Sequence, residues 1–114
     1  MGTNDTNNSK LIYPELSYLL TGIYFSVHNE FGRYCLEKKY ADELEKKLKE
    51  AGINFTREFV IPATKNAIDF LIDDKIVLEI KAKKMIVKDD YYQTQRYLQL
   101  LNKPLALLVN FRNR

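Results

Sequence analysis

The chain has few of the residue types on which several common kinds of site depend. Its 114 residues contain one cysteine, Cys35, and one histidine, His28. A single cysteine excludes an internal disulfide and any multi-cysteine zinc site, and it favours a cytoplasmic location. Cys35 also has no basic neighbour except Arg33 and no second histidine with which to pair. The sequence therefore argues against a cysteine nucleophile.

Long apolar runs are missing as well. No stretch approaches the roughly 18–20 apolar residues that a membrane span needs, and no signal peptide opens the chain, so we expect no membrane partner. The chain contains no repeats and no low-complexity linkers. We therefore expect a disordered polar tail over residues 1–10 and a single domain over residues 11–114.

Acidic residues are scarce in the last third of the chain. Residues 75–114 hold three Asp and Glu residues against nine Lys and Arg residues, whereas residues 1–74 hold twelve against nine. The basic segment is either an ordinary solvated surface or a binding surface for a polyanion, of which nucleic acid is the commonest example.

Hydrophobic periodicity predicts the element order α-α-β-β-β-α-β. Helices are expected over 13–32, beginning at Pro14 and ending at Gly32, and over 36–52. Strands are expected within 53–62, 66–72 and 75–83. A third helix over 88–102 follows the apolar spacing Tyr91, Thr94, Leu98 and Leu101, and a strand over 103–111 is apolar enough to be buried on both faces. The fold class is α/β or α+β, with a mixed sheet flanked by helices.

Charged residues interrupt the two middle strands. Alternation places Glu79 and Lys81 on one strand face, and Asp69 interrupts the preceding strand. A two-residue turn would put Asp69 on the opposite face from Glu79. A three-residue loop over 73–75 would pair Ile72 with Ile76 and set Asp69 opposite Glu79. We expect the second register because it gathers the charges in one place.

Two carboxylates that face each other repel, so such an arrangement needs a positive charge that offsets the repulsion. One is a divalent cation such as Mg²⁺, which favours carboxylate oxygens, with Lys81 assisting a water nucleophile or stabilising charge on a phosphate. The alternative is an exposed sheet face on which Lys81 forms an ion pair with Asp69 and Glu79.

The pattern Asp69-x9-Glu79-x-Lys81 on a hairpin between helices resembles the PD-(D/E)XK nuclease superfamily. The segments VHNEFG (27–32), LEKKY (36–40), IDFLIDDKIVLEIKA (68–82) and LALLVNF (105–111) also resemble the GxxExxY family of small bacterial proteins. Two features depart from these patterns. Tyr34 stands where the GxxExxY motif has glycine, and Ala67 and Ile68 precede Asp69 where the signature has proline.

The resemblance implies a restriction-endonuclease-like core with a central four-stranded mixed sheet, and a Mg²⁺- or Mn²⁺-dependent nuclease that hydrolyses phosphodiester bonds in DNA. It implies metal ligation by Asp69, Glu79 and the backbone carbonyl of Ile80, with Lys81 as the catalytic lysine. It further implies site roles for Glu37 from the first core helix, for Gln93 and Tyr97 with RecB-like spacing, and for His28 as an alternative metal ligand.

Each of these additional residues also has a purely structural interpretation. His28 and Tyr97 could be core residues, and Glu37 could simply favour a helix N-terminus. The basic residues Lys83, Lys84, Lys88 and Arg96 follow the site in sequence and could hold flanking phosphates without base specificity. A homodimer or a partner protein would then supply target recognition. The rival function is a non-catalytic module for nucleic-acid binding or protein interaction.

Overall fold

A computed structural model of the chain describes residues 13–112, so the tail expected over residues 1–10 lies outside the described residues. The elements follow the predicted order α-α-β-β-β-α-β. They are α1 (Pro14–Phe31), α2 (Glu37–Glu50), β1 (Phe55–Val60), β2 (Ala67–Ile72), β3 (Ile76–Lys81), α3 (Lys88–Leu101) and β4 (Leu105–Asn110).

The helix ends lie where the sequence predicts them. Pro14 is the first residue of α1, where its missing N–H is not needed. Gly32 ends the helix with a φ of 73°, and its N–H donates to the carbonyl of His28. Asn102 ends α3 in the left-handed conformation, which asparagine tolerates better than most residues. These stops fix the two loops that lead into α2 and β4.

The four strands form one mixed sheet in the order β1-β2-β3-β4. The first three strands are antiparallel neighbours, and β4 pairs with β3 in parallel. One face packs against α1 and α2 through a buried cluster that includes Phe70, Leu78 and Ile80. The other face packs against α3 through Leu71, Val77 and Tyr97. The predicted alternation along β3 is therefore confirmed.

Two details of the apolar pattern were predicted wrongly. The strand β4 is not buried on both faces: it lies at the edge of the sheet, and all its residues except Asn110 are only partly buried. Tyr91 is 59% exposed, because the row of α3 that faces the sheet runs through Thr94, Tyr97, Leu98 and Leu101 instead. Since the chain around Tyr91 is rich in tyrosine, helical spacing alone fits two neighbouring rows. No helix within the described residues is long and apolar enough to cross a membrane.

Candidate active site

The turn between β2 and β3 sets the register that brings the carboxylates together. It spans Asp73, Asp74 and Lys75, and Ile72 pairs with Ile76 as predicted. Both aspartates have a positive φ, 52° and 56°, a conformation in which Asp is enriched. This register sets Asp69 opposite Glu79.

Beyond the pair Phe70 and Leu78, side chains replace the regular pairing of β2 with β3. The amide N–H of Asp69 donates to Oε1 of Glu79 at 3.0 Å, and the amide N–H of Ile80 donates to Oδ2 of Asp69 at 2.7 Å. Each carboxylate thus satisfies a backbone donor of the other strand. The two strands are held together at this end by the carboxylates themselves.

A kink in β1 and β2 turns Asp69 toward α2. Glu58, opposite Asp69 in the β1–β2 register, has a φ of 54°, which is rare for a residue within a strand. On the two sides of Asp69, Ile68 packs in the cluster against α3 and Phe70 in the cluster against α2. Residues two apart in a regular strand share a face. Asp69 therefore lies where the strand changes face, and it borders a cleft on the α2 side.

Tyr40 positions the first turn of α2 beside this cleft. Its hydroxyl donates to the carbonyl of Gly32 at 2.6 Å and accepts the N–H of Cys35 at 3.1 Å, which fixes the loop between α1 and α2. Positive φ in this loop occurs at Gly32 and not at Tyr34, so the glycine of the GxxExxY pattern is not needed at that position. The loop geometry delivers Glu37, the first residue of α2, toward the end of β3.

Glu37 borders the cleft from the helix side. Its Oε2 lies 3.4 Å from the amide nitrogen of Ala82, just after β3. The cleft has a volume of about 320 Å³. Its lining combines acidic and basic side chains with a small apolar wall: Glu37, Lys38, Ala41, Arg57, Glu58, Asp69 and Ile80.

The Glu79 carboxyl group is the most perturbed acid of the site. It lies in the sheet with only 5% of its surface exposed. Burial raises its pKa to about 7, and the negative charge of Asp69 adds to this. The hydrogen bond from the Asp69 amide and the positive charge of Lys81 oppose the rise. Glu79 is therefore a carboxyl group that ionises near neutral pH.

Asp69 is shifted in the same direction. Burial raises its pKa above the usual value, the hydrogen bond from the Ile80 amide lowers it, and the negative charge of Glu37 raises it again. The positive charges of Lys81 and Arg57 lower the pKa of Asp69 by smaller amounts. Three carboxyl groups and Lys81 are thus close enough to influence one another. Neighbouring acids with raised pKa values at the edge of a cleft are typical of functional sites.

The donor atoms of the pair suit a hard cation. Within residues 13–112, no group of three or more His, Cys, Asp or Glu side chains is arranged so that it could hold a metal ion. The pair itself offers two oxygens, Oδ1 of Asp69 and Oε2 of Glu79, that accept no hydrogen bond from any described group. Mg²⁺ commonly binds through one or two carboxylates and keeps several waters. The pair therefore fits a cation that completes its shell with water or phosphate oxygens.

The remaining candidates are divided between the core and the surface. Tyr97 is buried in the α3 cluster with 7% of its surface exposed, while Gln93, one turn earlier, is exposed and borders a groove beside α3. His28 lies on α1, with its ring stacked against Tyr24 and Phe111. None of these described contacts joins His28 to Asp69 or Glu79.

The four basic candidates differ in what they contact. Lys83 donates to both carboxylate oxygens of Asp90, at 3.0 and 2.8 Å, and Asp90 in turn accepts the N–H of Val87 at the start of α3. Lys83 therefore fixes the loop between β3 and α3. The other three, Lys84, Lys88 and Arg96, are exposed.

Two residues near the site, Arg57 and Asn110, were not predicted from the sequence. Nη1 of Arg57 donates to Asp42 at 2.7 Å and to Glu45 at 2.8 Å, so it joins β1 to α2 beside the cleft. The side chain of Asn110 bonds both the N–H and the carbonyl of Lys83, which holds the loop after Lys81. One signal was available for Arg57: it occupies an inward position of an alternating strand, between Phe55 and Phe59.

Comparison with protein-family models agrees with this geometry. The model of the PD-(D/E)XK nuclease superfamily matches residues 14–114, and the chain belongs to this superfamily. Its mixed sheet with helices on both faces is a restriction-endonuclease-like α+β core. Members generally act on nucleic acids and typically use divalent metals. Comparisons with curated proteins and with solved structures gave no significant match.

Proposed function

We propose that this protein is a nuclease that uses Mg²⁺ or Mn²⁺ to hydrolyse phosphodiester bonds in DNA, and that it belongs to the GxxExxY group with RecB-like features. The observation that carries the proposal is the pair of carboxylates, Asp69 and Glu79, at the end of the hairpin where regular strand pairing stops. Structural needs alone would not place two carboxylates side by side in a largely buried position, because burial raises the pKa of both and the charge of Asp69 raises the pKa of Glu79 further.

The carboxylates and the chain around them would hold the cation. Asp69 and Glu79 each contribute one oxygen, and the backbone carbonyl of Ile80 is the third candidate ligand from the chain. A bound divalent cation supplies Lewis acidity toward a phosphate oxygen and toward water. The hydrogen bonds from the Asp69 and Ile80 amides orient the two carboxylates before any cation arrives.

Lys81 and Glu37 bring charges of opposite sign to that pair. Lys81, at the end of β3, places a positive charge beside both carboxylates, where it can assist the water nucleophile or stabilise charge on the phosphate. Glu37 approaches from α2 and adds negative charge at the cleft, which favours a cation there.

The other candidates have supporting roles in the proposal. Gln93 lies one turn from Tyr97 on α3 and could contact a phosphate, with Tyr97 supporting the helix from the core. Lys84, Lys88 and Arg96 would hold flanking phosphates, while Lys83 acts through Asp90 on the loop. His28 is the alternative metal ligand of the proposal, and its described ring contacts are with Tyr24 and Phe111. A homodimer or a partner protein would supply target recognition.

The test is a cleavage assay with Mn²⁺ on supercoiled, linear, single-stranded and branched DNA. We expect Lys81→Ala to lower the rate by about a hundredfold or more while the protein stays folded. Lys46→Ala, which removes an exposed lysine from the far end of α2, is the matched control and should cut like the wild type. Cleavage that survives Lys81→Ala would point to another site or to contamination, and it would overturn the assignment.

One further outcome would change the class of function. If Mn²⁺ binds and Asp69→Ala abolishes that binding, but no DNA or RNA substrate is cut, the protein is a non-catalytic nuclease-fold module. The proposal of a working nuclease would then be wrong, although the metal site would stand.

A further inference from the structure

A groove beside α3 places an exposed aromatic side chain, Tyr92, among residues to which the proposed function gives only supporting roles. It lies between α3 and the loop that precedes β2, and its volume is about 330 Å³. The residues that line it are Asn66, Asp89, Tyr92, Gln93, Arg96 and Tyr97. We call it the α3 groove.

Tyr92 and Arg96 form one wall of the α3 groove. They lie four residues apart on α3 and therefore on the same face of the helix. The Tyr92 ring is 62% exposed. No described acidic group forms an ion pair with Arg96. A flat ring and an unneutralised guanidinium side by side can receive a planar group and an anion.

The charge on the row of α3 that borders the groove is positive. Lys88, Tyr92 and Arg96 follow one another at four-residue spacing and are exposed, and Asp89 is the one acidic residue that lines the groove. Lys83 and Asp90 neutralise each other through their ion pair and leave this balance unchanged. A positive, polar groove with an aromatic wall matches nucleic acid better than an apolar peptide segment.

The α3 groove is close in sequence to the candidate active site, although the cleft that Asp69 borders lies on the α2 side of the sheet. Asn66, on the rim of the groove, is three residues before Asp69. Tyr97, which also lines the groove, packs in the same cluster as Ile68, the residue directly before Asp69. The segment that borders the groove therefore runs into the strand that carries the first carboxylate.

We propose that the α3 groove binds an unpaired nucleotide of single-stranded DNA, with the base stacked on Tyr92 and a phosphate held by Arg96. Within a duplex both faces of each base are covered by stacked neighbours except at the terminal pairs, so away from the ends a tyrosine ring can stack only on an unpaired base. The inference rests on the proposed nuclease function, and it narrows the substrate class to DNA that contains a single-stranded segment.

The test separates binding from cleavage by measuring fluorescence anisotropy of a labelled oligothymidine in EDTA, where no metal chemistry occurs. We expect Tyr92→Ala to weaken binding by about fivefold or more, since base–aromatic stacking contributes at least that much, and Tyr92→Phe to retain it. Tyr91→Ala is the matched control, because Tyr91 is equally exposed on the neighbouring face of α3 and does not line the groove. A blunt duplex of the same length should bind more weakly and show no response to Tyr92→Ala.

The outcomes of this experiment test the α3 groove separately from the proposed nuclease activity. Equal losses in Tyr91→Ala and Tyr92→Ala, or a duplex that binds as tightly as the single strand, would overturn the α3 groove proposal even if Mn²⁺-dependent cleavage is found. A loss confined to Tyr92→Ala supports the groove even in a protein that proves unable to cut DNA. Single-stranded RNA of the same sequence shows whether the sugar matters, and a preference for RNA would overturn the choice of DNA.

Discussion

The two ends of the β2–β3 hairpin differ in what holds them together. At the turn, Ile72 pairs with Ile76 and both side chains are fully buried in the cluster against α1 and α2. At the other end, the carboxylates of Asp69 and Glu79 bond the backbone amides of the opposite strand. The first end is stabilised by apolar burial, whereas the second places two repelling acids next to each other, with Asp69 at the edge of a cleft and Glu79 buried in the sheet.

This difference indicates that the residues that stabilise the hairpin and the residues proposed for chemistry lie at its opposite ends. The turn end sets the register, and the register alone decides that Asp69 faces Glu79. The other end, which we call the acidic end, carries Asp69 and Glu79 and depends on that register. It adds little to the stability of the protein, because its carboxyl groups are held in a position that disfavours their charged forms. Substitutions at the two ends should therefore have different consequences.

The largest effect on stability is expected at the turn end. Ile76→Ala should lower the free energy of unfolding by about 3–4 kcal/mol, because it leaves a cavity in the main core. Urea denaturation measures this change. The control is Leu19→Ala on α1, where the side chain is 52% exposed, and it should change stability by less than about 0.5 kcal/mol. Similar losses for both variants would contradict the assignment of the core.

The next largest expected effect is a dependence of the free energy of unfolding on pH, which originates at the acidic end. Glu79 keeps its proton up to a pH of about 7 in the folded protein, against a reference value of 4.5. The folded state therefore binds more protons between these values, and the free energy of unfolding should fall as the pH rises through this window. The loss amounts to at most about 3 kcal/mol.

Urea titrations in EDTA from pH 5 to pH 8 would measure most of that loss, because it occurs between the reference value of 4.5 and about 7. In Glu79→Gln the group cannot ionise, so the pH dependence should shrink and the variant should be more stable than the wild type at the upper end. A wild-type protein that gains stability over this range would show that Glu79 is not held in its neutral form.

A smaller effect is expected where α1 meets α2. Tyr40→Phe removes the hydroxyl that bonds Gly32 and Cys35, and it should cost about 1–2 kcal/mol in stability. Because this loop positions Glu37, nuclease activity should fall as well, under conditions where the variant is fully folded. Tyr34→Phe is the control, since Tyr34 is exposed. Unchanged activity in Tyr40→Phe would remove Glu37 from the proposed site.

The sequence allowed the helix ends, the element order and the Asp69–Glu79 register to be predicted, because each rests on local signals. Proline and glycine mark α1, and a one-residue choice of turn length sets the hairpin. The partial exposure of β4 could not be predicted, because an edge strand and a central strand can have the same apolar composition.

Long-range pairing of side chains was also beyond the sequence. The bonds of Arg57 to Asp42 and Glu45 join residues 12 to 15 positions apart. The hydrogen bonds between the Asn110 side chain and the Lys83 backbone span 27 positions. The left-handed backbone at Glu58 was equally unpredictable, since glutamate is not a residue that usually marks such a conformation. Periodicity reports which face a residue occupies and carries no information about its distant partner.

The most direct test of the account compares metal binding after the same substitution at the two ends of the hairpin. Isothermal titration calorimetry with Mn²⁺ should give binding to the wild type, a loss of tenfold or more in Asp69→Asn, and no change in Asp74→Asn at the turn. Both variants remove one aspartate charge, and Asp74 lies in an exposed position with an ion pair to Lys103. Equal affinities for the wild type and Asp69→Asn would contradict the assignment of the acidic end as the metal site.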